Sequence, residues 1–145
     1  SLCLFEGTPI SIGRGTAKPF QIIGHPSIKS ESYAFTPKSI AGAKNPKLKN
    51  QKCFGYDLAY FGSEYLKGKG EINLFWLIEI YKDFPKKEKF FTQMFQLLSG
   101  TDKLQQQIEA GKTAEEIKAT WKDGLEKFKV TRKKYLLYKD VDLSH

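Results

Sequence analysis

Short apolar runs in the first 61 positions of the chain indicate strands. Strands are predicted over residues 2–5 and 20–24, and over Tyr33–Thr36, where Pro37 ends the run. Cys53–Phe61 alternates most regularly, which predicts a half-buried strand. The two sides of this strand are Phe54, Tyr56, Leu58 and Tyr60 against Gly55, Asp57 and Ala59.

Helical periodicity replaces this alternation after Gly70. Glu71–Phe84 is apolar on nearly all sides, which predicts a central, buried helix that Pro85 ends. Lys86–Ser99 predicts a second helix, with Gly100 as its C-terminal stop. Its apolar stripe consists of Phe90, Phe91, Met94, Phe95 and Leu98.

Two further helices follow in the pattern. Thr101 or Asp102 caps a short helix that Gly111 closes. The residues from Thr113 to Glu116 then fit a capping box, in which each end satisfies a free backbone N–H of the other. The helix after it has one apolar face, made of Ile117, Trp121, Leu125 and Phe128. The closing segment Tyr135–Tyr138 is either a last strand or an apolar docking tail.

The order of these elements, strands first and helices afterwards without βαβ alternation, predicts an α+β fold. We expect a small, mostly antiparallel sheet in the N-terminal half, packed against about four helices in the C-terminal half. Residues 1–145 are long enough for a single domain with its own core. The polar stretch Lys38–Lys52, interrupted by Gly42 and Pro46, predicts a surface loop. Because Ser1 opens directly onto an apolar run, we expect an excised domain or a processed chain.

The charge of the chain favours anionic partners such as nucleic acid, acidic lipid or an anionic polysaccharide. The formal net charge is +8, with 24 Lys and Arg against 16 Asp and Glu. Arg14 and Arg132 are the two arginines, so lysine supplies nearly all of this charge. Surfaces that read nucleic-acid sequence usually recruit arginine, so solvated lysine faces are the favoured interpretation and no nucleic-acid partner is expected.

Cysteine content and hydropathy exclude two further classes of protein. Cys3 and Cys53 make no CxxC pair, so no metal site is expected. A disulfide between them and two separate thiols are both compatible with the sequence. No apolar run approaches the ~20 residues that span a bilayer, so no transmembrane segment is expected.

The candidate chemistry lies in the first 16 residues, where a polar, glycine-spaced loop separates two apolar runs. The loop carries one carboxylate, one guanidinium, three hydroxyls and three glycines. Glycine lets the backbone approach a ligand closely, and a carboxylate beside an apolar run is expected to be partly desolvated and hydrogen-bonded. These residues are Glu6, Gly7, Thr8, Ser11, Gly13, Arg14, Gly15 and Thr16.

Each of these residues also has a purely structural interpretation. Arg14 can grip a ligand carboxylate, or it can pair with Glu6 and hold the loop shut. The three hydroxyls can cap turns rather than contact a ligand. His25, at a predicted strand end, is more often a structural hydrogen-bond partner than a catalyst. The loop lacks the spacing of a phosphate-binding loop and of a nucleophile elbow, so neither chemistry is indicated.

The carboxylates near Glu6 in the sequence do not form a convincing catalytic pair. Glycosidases generally need two carboxyl groups about 5–10 Å apart. Glu31 and the more distant Asp57 are the nearest in sequence. The chain therefore has the residues of half a site.

The chain opens with three motifs, LCLFEGT, then S-x-G-R-G-T, then K-P-F-Q-I-I-G-H-P. These motifs resemble the C-terminal domain of exported bacterial proteins of the YbbC/NamZ type. That family, formerly a domain of unknown function, is linked to exo-β-N-acetylmuramidases. The resemblance extends to the end of the chain. It continues through Phe35-Thr36-Pro37, Cys53-x-Gly55, Phe84-Pro85, Leu98-x-Gly100-Thr101, Ile108-Glu109-x-Gly111 and Tyr135-Leu136-Leu137-Tyr138.

This resemblance implies a function, a partner and a location. The family is expected to have an N-terminal Rossmann-like domain, absent here, with the site in the cleft between the domains. The chain would supply one wall of the substrate cleft in a peptidoglycan-acting glycoside hydrolase that removes terminal N-acetylmuramic acid. The enzyme would be exported and would need no cofactor. Glu6 would be the catalytic candidate. The substrate-binding candidates would be Gly7, Thr8, Ser11, Arg14, Gly15 and Thr16.

Two alternatives stay open at this point. The first is a non-catalytic module that binds anionic glycans or peptidoglycan, in which the loop grips a saccharide and the lysines add attraction. The second, less favoured, is a nucleic-acid-binding domain driven by charge. Under the leading hypothesis the chain alone is expected to be inactive, since much of the catalytic machinery would lie on the absent domain.

Overall fold

The computed structural model describes residues 2–30, 32–61 and 71–138. In these ranges a three-stranded antiparallel sheet has the order β1-β3-β2, so the last strand lies between the first two. The strands are β1 (Ile22–His25), β2 (Tyr33–Phe35) and β3 (Cys53–Asp57). Gly24 of β1 is paired with Gly55 of β3. A Cβ atom at Gly55 would lie 2.0 Å from the carbonyl oxygen of Ile23, so this pairing requires glycine.

Besides residues 59–61, which are also helical, the described ranges contain five α-helices and three 3-10 segments. The α-helices are α1 (Phe75–Asp83), α2 (Gln93–Ser99), α3 (Lys103–Glu109), α4 (Ala114–Ala119) and α5 (Lys122–Arg132). The 3-10 segments are Leu2–Gly7, Lys87–Lys89 and Lys133–Tyr135. This α+β architecture confirms the predicted fold class. None of the described helices is long and apolar enough to cross a membrane.

The main core joins the first 3-10 segment, one face of the sheet and the helices. Phe5, Phe90 and Phe95 are among its fully buried side chains. Neighbouring residues of β1 face opposite ways, as strand geometry requires. Ile23 lies in the main core, whereas Ile22 packs with Phe35 and Cys53 in a smaller cluster.

The strand predicted over residues 2–5 is wrong, because Leu2–Gly7 is a 3-10 helix. The Thr8 backbone N–H donates to the Phe5 carbonyl at 3.1 Å, and the Thr8 hydroxyl donates to the same oxygen at 2.8 Å. Leu4, Phe5 and Gly7 are buried, and Gly7 packs directly on α2. An apolar run of four residues is compatible with both a strand and a helix. In the structure the helical form occurs together with the contact with α2.

The helix predicted over Lys86–Ser99 is divided by a bond from a distant part of the chain. Both the N–H and the hydroxyl of Thr92 donate to the Gly7 carbonyl at 3.0 Å. This contact accompanies an extended backbone at Thr92, so α2 begins only at Gln93. The Lys87–Lys89 turn lies before it.

Three other sequence predictions differ from the structure in extent. The strand over Cys53–Phe61 is confirmed only to Asp57, and Tyr60 is exposed rather than aligned with a buried face. The helix over Glu71–Phe84 starts at Phe75 and leaves Phe75 half exposed, although it ends before Pro85 as predicted. The strand alternative for Tyr135–Tyr138 is wrong: the segment opens in a 3-10 turn and is largely exposed.

The predicted ends at Gly100 and Gly111 and the capping box are confirmed, whereas Asp102 precedes α3 without a capping hydrogen bond from its side chain. Gly100 and Gly111 have positive φ angles of 69° and 75° after α2 and α3. The capping box is complete, because the Glu116 N–H donates to the Thr113 hydroxyl and the Thr113 N–H donates to the Glu116 carboxylate. The helix after it breaks at Thr120, however, so the predicted apolar face is shared between α4 and α5.

Candidate functional site

A pocket of about 390 Å³ lies between the turn over residues 13–16 and the loop over residues 42–47. Glu6, Ser11 and Arg14 line it from one side, and the loop lines it from the other. The sequence predicted these three residues as site residues, and the structure brings them together. The remaining lining residues are Ile10, Ile12, Gly42, Ala43, Lys44, Asn45, Pro46 and Lys47.

Glu6 is exposed at the end of the first 3-10 segment, so the expectation that its carboxylate is partly desolvated is wrong. Residues at positions i and i+3 of a 3-10 helix lie above one another, and Cys3 is therefore on the same exposed side as Glu6. Of the described residues that line the pocket, Glu6 alone carries a carboxylate. Its side chain is open to a ligand or to another protein surface.

Arg14 is exposed at the tip of the glycine-spaced turn. Among the described residues no ion pair joins Arg14 to Glu6, so the alternative of a structural pair that closes the loop is not what the structure contains. The guanidinium instead lines the pocket beside Ser11. A planar guanidinium in this position can bind a ligand carboxylate with two parallel hydrogen bonds.

The hydroxyls of Thr8, Ser11 and Thr16 serve turns, in line with their structural interpretation. Thr8 is buried and accepts from the N–H of Ile10 at 3.3 Å. The buried Ser11 hydroxyl accepts from the N–H of Gly13 at 3.3 Å. Thr16 donates to the Gly13 carbonyl at 2.7 Å. These bonds hold the backbone that carries Glu6 and Arg14.

Two of the predicted site glycines form the frame of the pocket rather than its lining. A Cβ at Gly7 would lie 2.4 Å from Cα of Phe95, so Gly7 is needed for close packing on α2. Gly15 has a φ of +83°, and a Cβ there would lie 2.6 Å from both the Lys38 carbonyl oxygen and Cγ of Pro46. Gly15 therefore lets the 13–16 turn and the Lys38–Lys52 loop approach each other, and this approach shapes the pocket.

The turn is anchored to the sheet as well as to the loop. Ser11 and Gly24 exchange backbone hydrogen bonds of 2.9 and 3.0 Å in an isolated antiparallel bridge at β1. On the loop side, the Lys38 N–H donates to the Gly15 carbonyl at 2.8 Å. Arg14 thus projects from a turn that is fixed at both ends.

Lys47 is a site residue that the sequence analysis missed. Its Nζ donates to the Thr8 carbonyl at 2.5 Å and lies 3.4 Å from the Glu6 carbonyl. Although much of the side chain is exposed, desolvation of this end lowers the Lys47 pKa, and the Glu6 carboxylate acts in the opposite direction. Lys47 is one of several lysines in Lys38–Lys52, so the sequence contained no signal that distinguishes it.

The other titratable candidates lie in structural settings. The His25 imidazole accepts from the Ser27 N–H at 3.0 Å and packs edge-on against Phe84, and burial lowers its pKa. Asp57 pairs with Lys18, and this hydrogen bond lowers the pKa of the Asp57 carboxyl. Both residues fit structural roles, as the sequence analysis favoured for His25.

Neither cysteine belongs to the pocket. Cys3 is exposed and Cys53 is buried, and no disulfide joins them. Of the two alternatives that the sequence left open, a disulfide or two separate thiols, the structure contains the thiols. Burial raises the pKa of the Cys53 thiol to about 11. Among the described residues no group of three or more His, Cys, Asp or Glu side chains is placed to hold a metal ion.

The arrangement at the pocket can bind and orient an anionic, hydroxyl-rich ligand. The cationic groups of Arg14, Lys44 and Lys47 border it, and one carboxylate stands at its edge. A carboxylate in this position can accept hydrogen bonds from hydroxyls or transfer a proton.

Comparisons with known proteins give matches over nearly the whole chain. The family model described as exo-β-N-acetylmuramidase NamZ, C-terminal, matches residues 1–138. Peptidoglycan β-N-acetylmuramidase NamZ of Bacillus subtilis (strain 168) is 33% identical over 147 residues, which cover 93% of this chain and 35% of that protein. The crystal structure of a DUF1343 family protein from Bacteroides fragilis NCTC 9343 matches with a TM-score of 0.90 and 51% identity. That match covers 97% of this chain and 40% of the other, so the chain spans less than half the length of both relatives.

Proposed function

The chain belongs to the C-terminal family of the exo-β-N-acetylmuramidase NamZ, and we propose that it forms one wall of the substrate cleft in a peptidoglycan-acting glycoside hydrolase. In this proposal the complete enzyme removes terminal N-acetylmuramic acid from peptidoglycan fragments. The observation that carries the proposal is the pocket in which Glu6, Ser11 and Arg14 meet. Because peptidoglycan lies outside the cytoplasmic membrane, the enzyme would act after export.

The positive charge of the pocket suits the proposed sugar. N-acetylmuramic acid differs from N-acetylglucosamine by a lactyl group, which carries a carboxylate. The exposed guanidinium of Arg14 is positioned to bind such a carboxylate, and Lys47 adds a second positive charge nearby. The role proposed for Arg14 is therefore selection of the lactyl group.

The single carboxylate of the pocket supports a site completed by another domain. Retaining and inverting glycosidases use two carboxyl groups, about 5–5.5 Å apart in the first case and about 6.5–9.5 Å in the second. Glu6 supplies one, and Asp57 is engaged with Lys18. The longer relatives carry further residues that can supply the other. We place Glu6 as a general acid or base in the covered cleft.

The remaining predicted residues have supporting roles in this proposal. The Ser11 hydroxyl fixes the start of the 13–16 turn by accepting from the Gly13 N–H, and Gly15 and Thr16 determine the shape of the turn. Gly7 and Thr8 hold the 3-10 segment that presents Glu6. A substrate contact with the backbone of this turn stays a prediction for these five positions.

A test of the lactyl selection uses the full-length protein and two chromogenic substrates. One is an N-acetylmuramic acid glycoside, and the other is the corresponding N-acetylglucosaminide, which lacks the lactyl carboxylate. For Arg14→Ala we expect kcat/KM on the first substrate to fall by about 10- to 100-fold, mainly through KM, with little change on the second. The matched control is Lys103→Ala, which removes an exposed positive charge at the start of α3. Equal losses on both substrates would reject the role of Arg14.

A binding module for anionic glycans is the second candidate, and it is favoured by the same combination of several cationic groups and one carboxylate. Such a module would add affinity for peptidoglycan without taking part in the reaction. The two candidates differ in the effect of Glu6→Gln on kcat, which a binding module would leave unchanged.

A further inference from the structure

Helix α5 lies on the domain with its apolar side chains uncovered. None of its 11 residues is buried against the described part of the chain. Leu125 is 51% exposed and Phe128 is 61% exposed. A helix of this length is marginal in water by itself, because most helical stability in proteins comes from packing of an apolar face. The exposed side chains therefore indicate a surface that is covered in the complete protein.

Two of the three large apolar side chains of α5 lie on one side of the helix. Leu125 and Phe128 are three residues apart, and the Leu125 N–H donates to the carbonyl of Trp121 at the start of the helix. These three residues are called here the α5 face. Val130 is also exposed, but it lies five residues after Leu125 and so points to the opposite side of the helix.

The α5 face continues into an apolar groove of about 390 Å³. Trp121 belongs to both surfaces. The groove is called here the Trp121 groove, and its other lining residues are Cys3, Leu4, Ile72, Leu74, Leu98, Ser99, Thr101 and Leu104. Contiguous apolar surfaces of this kind mark interaction sites in soluble proteins.

Two observations bear on what covers this surface. First, the relatives that match nearly all of this chain are more than twice as long, and the matched part is the C-terminal region of the family. Second, Cys3 and Leu4 line the Trp121 groove, so a polypeptide that precedes Leu2 enters the domain beside it. A tethered domain at this position has a high effective concentration for the groove.

We infer that the α5 face and the Trp121 groove form the docking surface for the domain that precedes this region in the same polypeptide. Intramolecular domain interfaces typically bury about 600–1,500 Å² and combine apolar and polar contacts. Lys122 and Lys129 border the α5 face, and Lys129 already pairs with Glu126 at 2.8 Å, so the rim of the docked domain is expected to present an acidic side chain to Lys122.

The docking surface and the candidate site meet at the first 3-10 segment. Cys3 lines the Trp121 groove, Glu6 lines the polar pocket, and the two are on the same side of that segment. A domain bound at the groove therefore also approaches Glu6. The inference does not depend on the roles proposed for Glu6 and Arg14, because it is tested without any measurement of activity.

The test is hydrogen–deuterium exchange of the full-length protein, in which the upstream region precedes Ser1. The variant Leu125→Asn/Phe128→Asn removes the apolar contacts of α5, and Val130→Asn is the matched control on the opposite side of the helix. We expect amides 125–132 to exchange at least about tenfold more slowly in the wild type than in the double variant, and Val130→Asn to match the wild type. This protection is expected to be independent of protein concentration.

Cross-linking of the wild-type protein gives a second measurement that needs no variant. A lysine-reactive cross-linker is expected to join Lys122 or Lys129 to residues upstream of Leu2 within one molecule. Four results would overturn the inference. The first is equal exchange in the wild type and the double variant. The second and third are protection that rises with protein concentration, as for a second copy, and protection that appears only with vesicles of anionic lipid. The fourth is the absence of intramolecular cross-links to the upstream region.

Discussion

The Nζ atom of Lys47, a residue that lines the candidate pocket, donates a hydrogen bond to the carbonyl oxygen of Thr8 at 2.5 Å. This contact connects the 42–47 loop to the end of the segment that carries Glu6. It also places a cation whose pKa is lowered by desolvation beside the Glu6 carboxylate. The two walls of the pocket are therefore held together by a residue that can also contact a ligand.

Replacement of Lys47 tests this connection. We expect Lys47→Ala in the full-length protein to raise KM about tenfold and to lower the free energy of unfolding by about 1 kcal/mol, because a charge-assisted bond to a backbone carbonyl is lost. Lys49→Ala is the control, since Lys49 is exposed in the same loop and donates hydrogen bonds to Lys44 and Asn45 of that loop. Steady-state kinetics and urea unfolding measure the two effects. Identical KM and unfolding free energy for the two variants would reject a role of Lys47 in connecting the loop to Thr8.

Gly7 and Gly124 give a matched pair of glycine substitutions. A Cβ at Gly7 would collide with the backbone of Phe95, whereas Gly124 has open space around it within α5. We expect Gly7→Ala to destabilise the fold by about 2 kcal/mol or more, and Gly124→Ala to stabilise it by up to about 1 kcal/mol. Equilibrium denaturation measures both, and a neutral Gly7→Ala would contradict the close packing on α2.

The Lys18–Asp57 pair makes stability depend on acid pH. The hydrogen bond from Lys18, together with one from the Ala59 N–H, holds the Asp57 pKa below its ordinary value, about 3.9 in unfolded chains. The stabilisation is present above that unfolded value and is lost as the pH falls through the lower folded value. The stability difference between wild type and Asp57→Asn should therefore be constant near neutral pH and shrink below pH ~4.

Urea unfolding at a series of pH values measures this dependence. The exposed residue Asp123, in the first turn of α5, provides the control Asp123→Asn. A difference between wild type and Asp57→Asn that persists undiminished in strong acid would contradict the assignment of the pair.

The isolated chain should not hydrolyse the substrate. The proposed reaction needs two carboxyl groups, and the pocket contains one carboxylate among the described lining residues. Incubation of residues 1–145 with a chromogenic N-acetylmuramic acid glycoside tests this expectation, with the full-length protein as the positive control. Turnover by the isolated chain would show that it contains a complete site.

Local sequence signals predicted the parts of the structure that depend on neighbouring residues. The capping box at Thr113 and the positive φ angles at Gly100 and Gly111 depend on a few adjacent positions. The grouping of Glu6, Ser11 and Arg14 was also predictable, because the three residues lie within one short stretch of the sequence.

Distant contacts account for what the sequence did not predict. The Gly7 carbonyl accepts two bonds from Thr92, 85 residues away, and this contact accompanies both the 3-10 segment and the break before α2. Lys47 lies 39 residues from Thr8 and resembles its neighbouring lysines in sequence. The α5 face was predicted as a helix face, but periodicity does not tell which surface covers it.

The most direct measurement of the central proposal is the turnover of a chromogenic N-acetylmuramic acid glycoside by the full-length protein with Glu6→Gln. This substitution keeps the shape of Glu6 and removes its ability to transfer a proton. We expect kcat to fall by about 10² or more, with KM little changed, and Glu88→Gln, an exposed control, to behave as the wild type. A Glu6→Gln variant with near-normal kcat would contradict a part for this domain in the reaction and would leave it as a glycan-binding module.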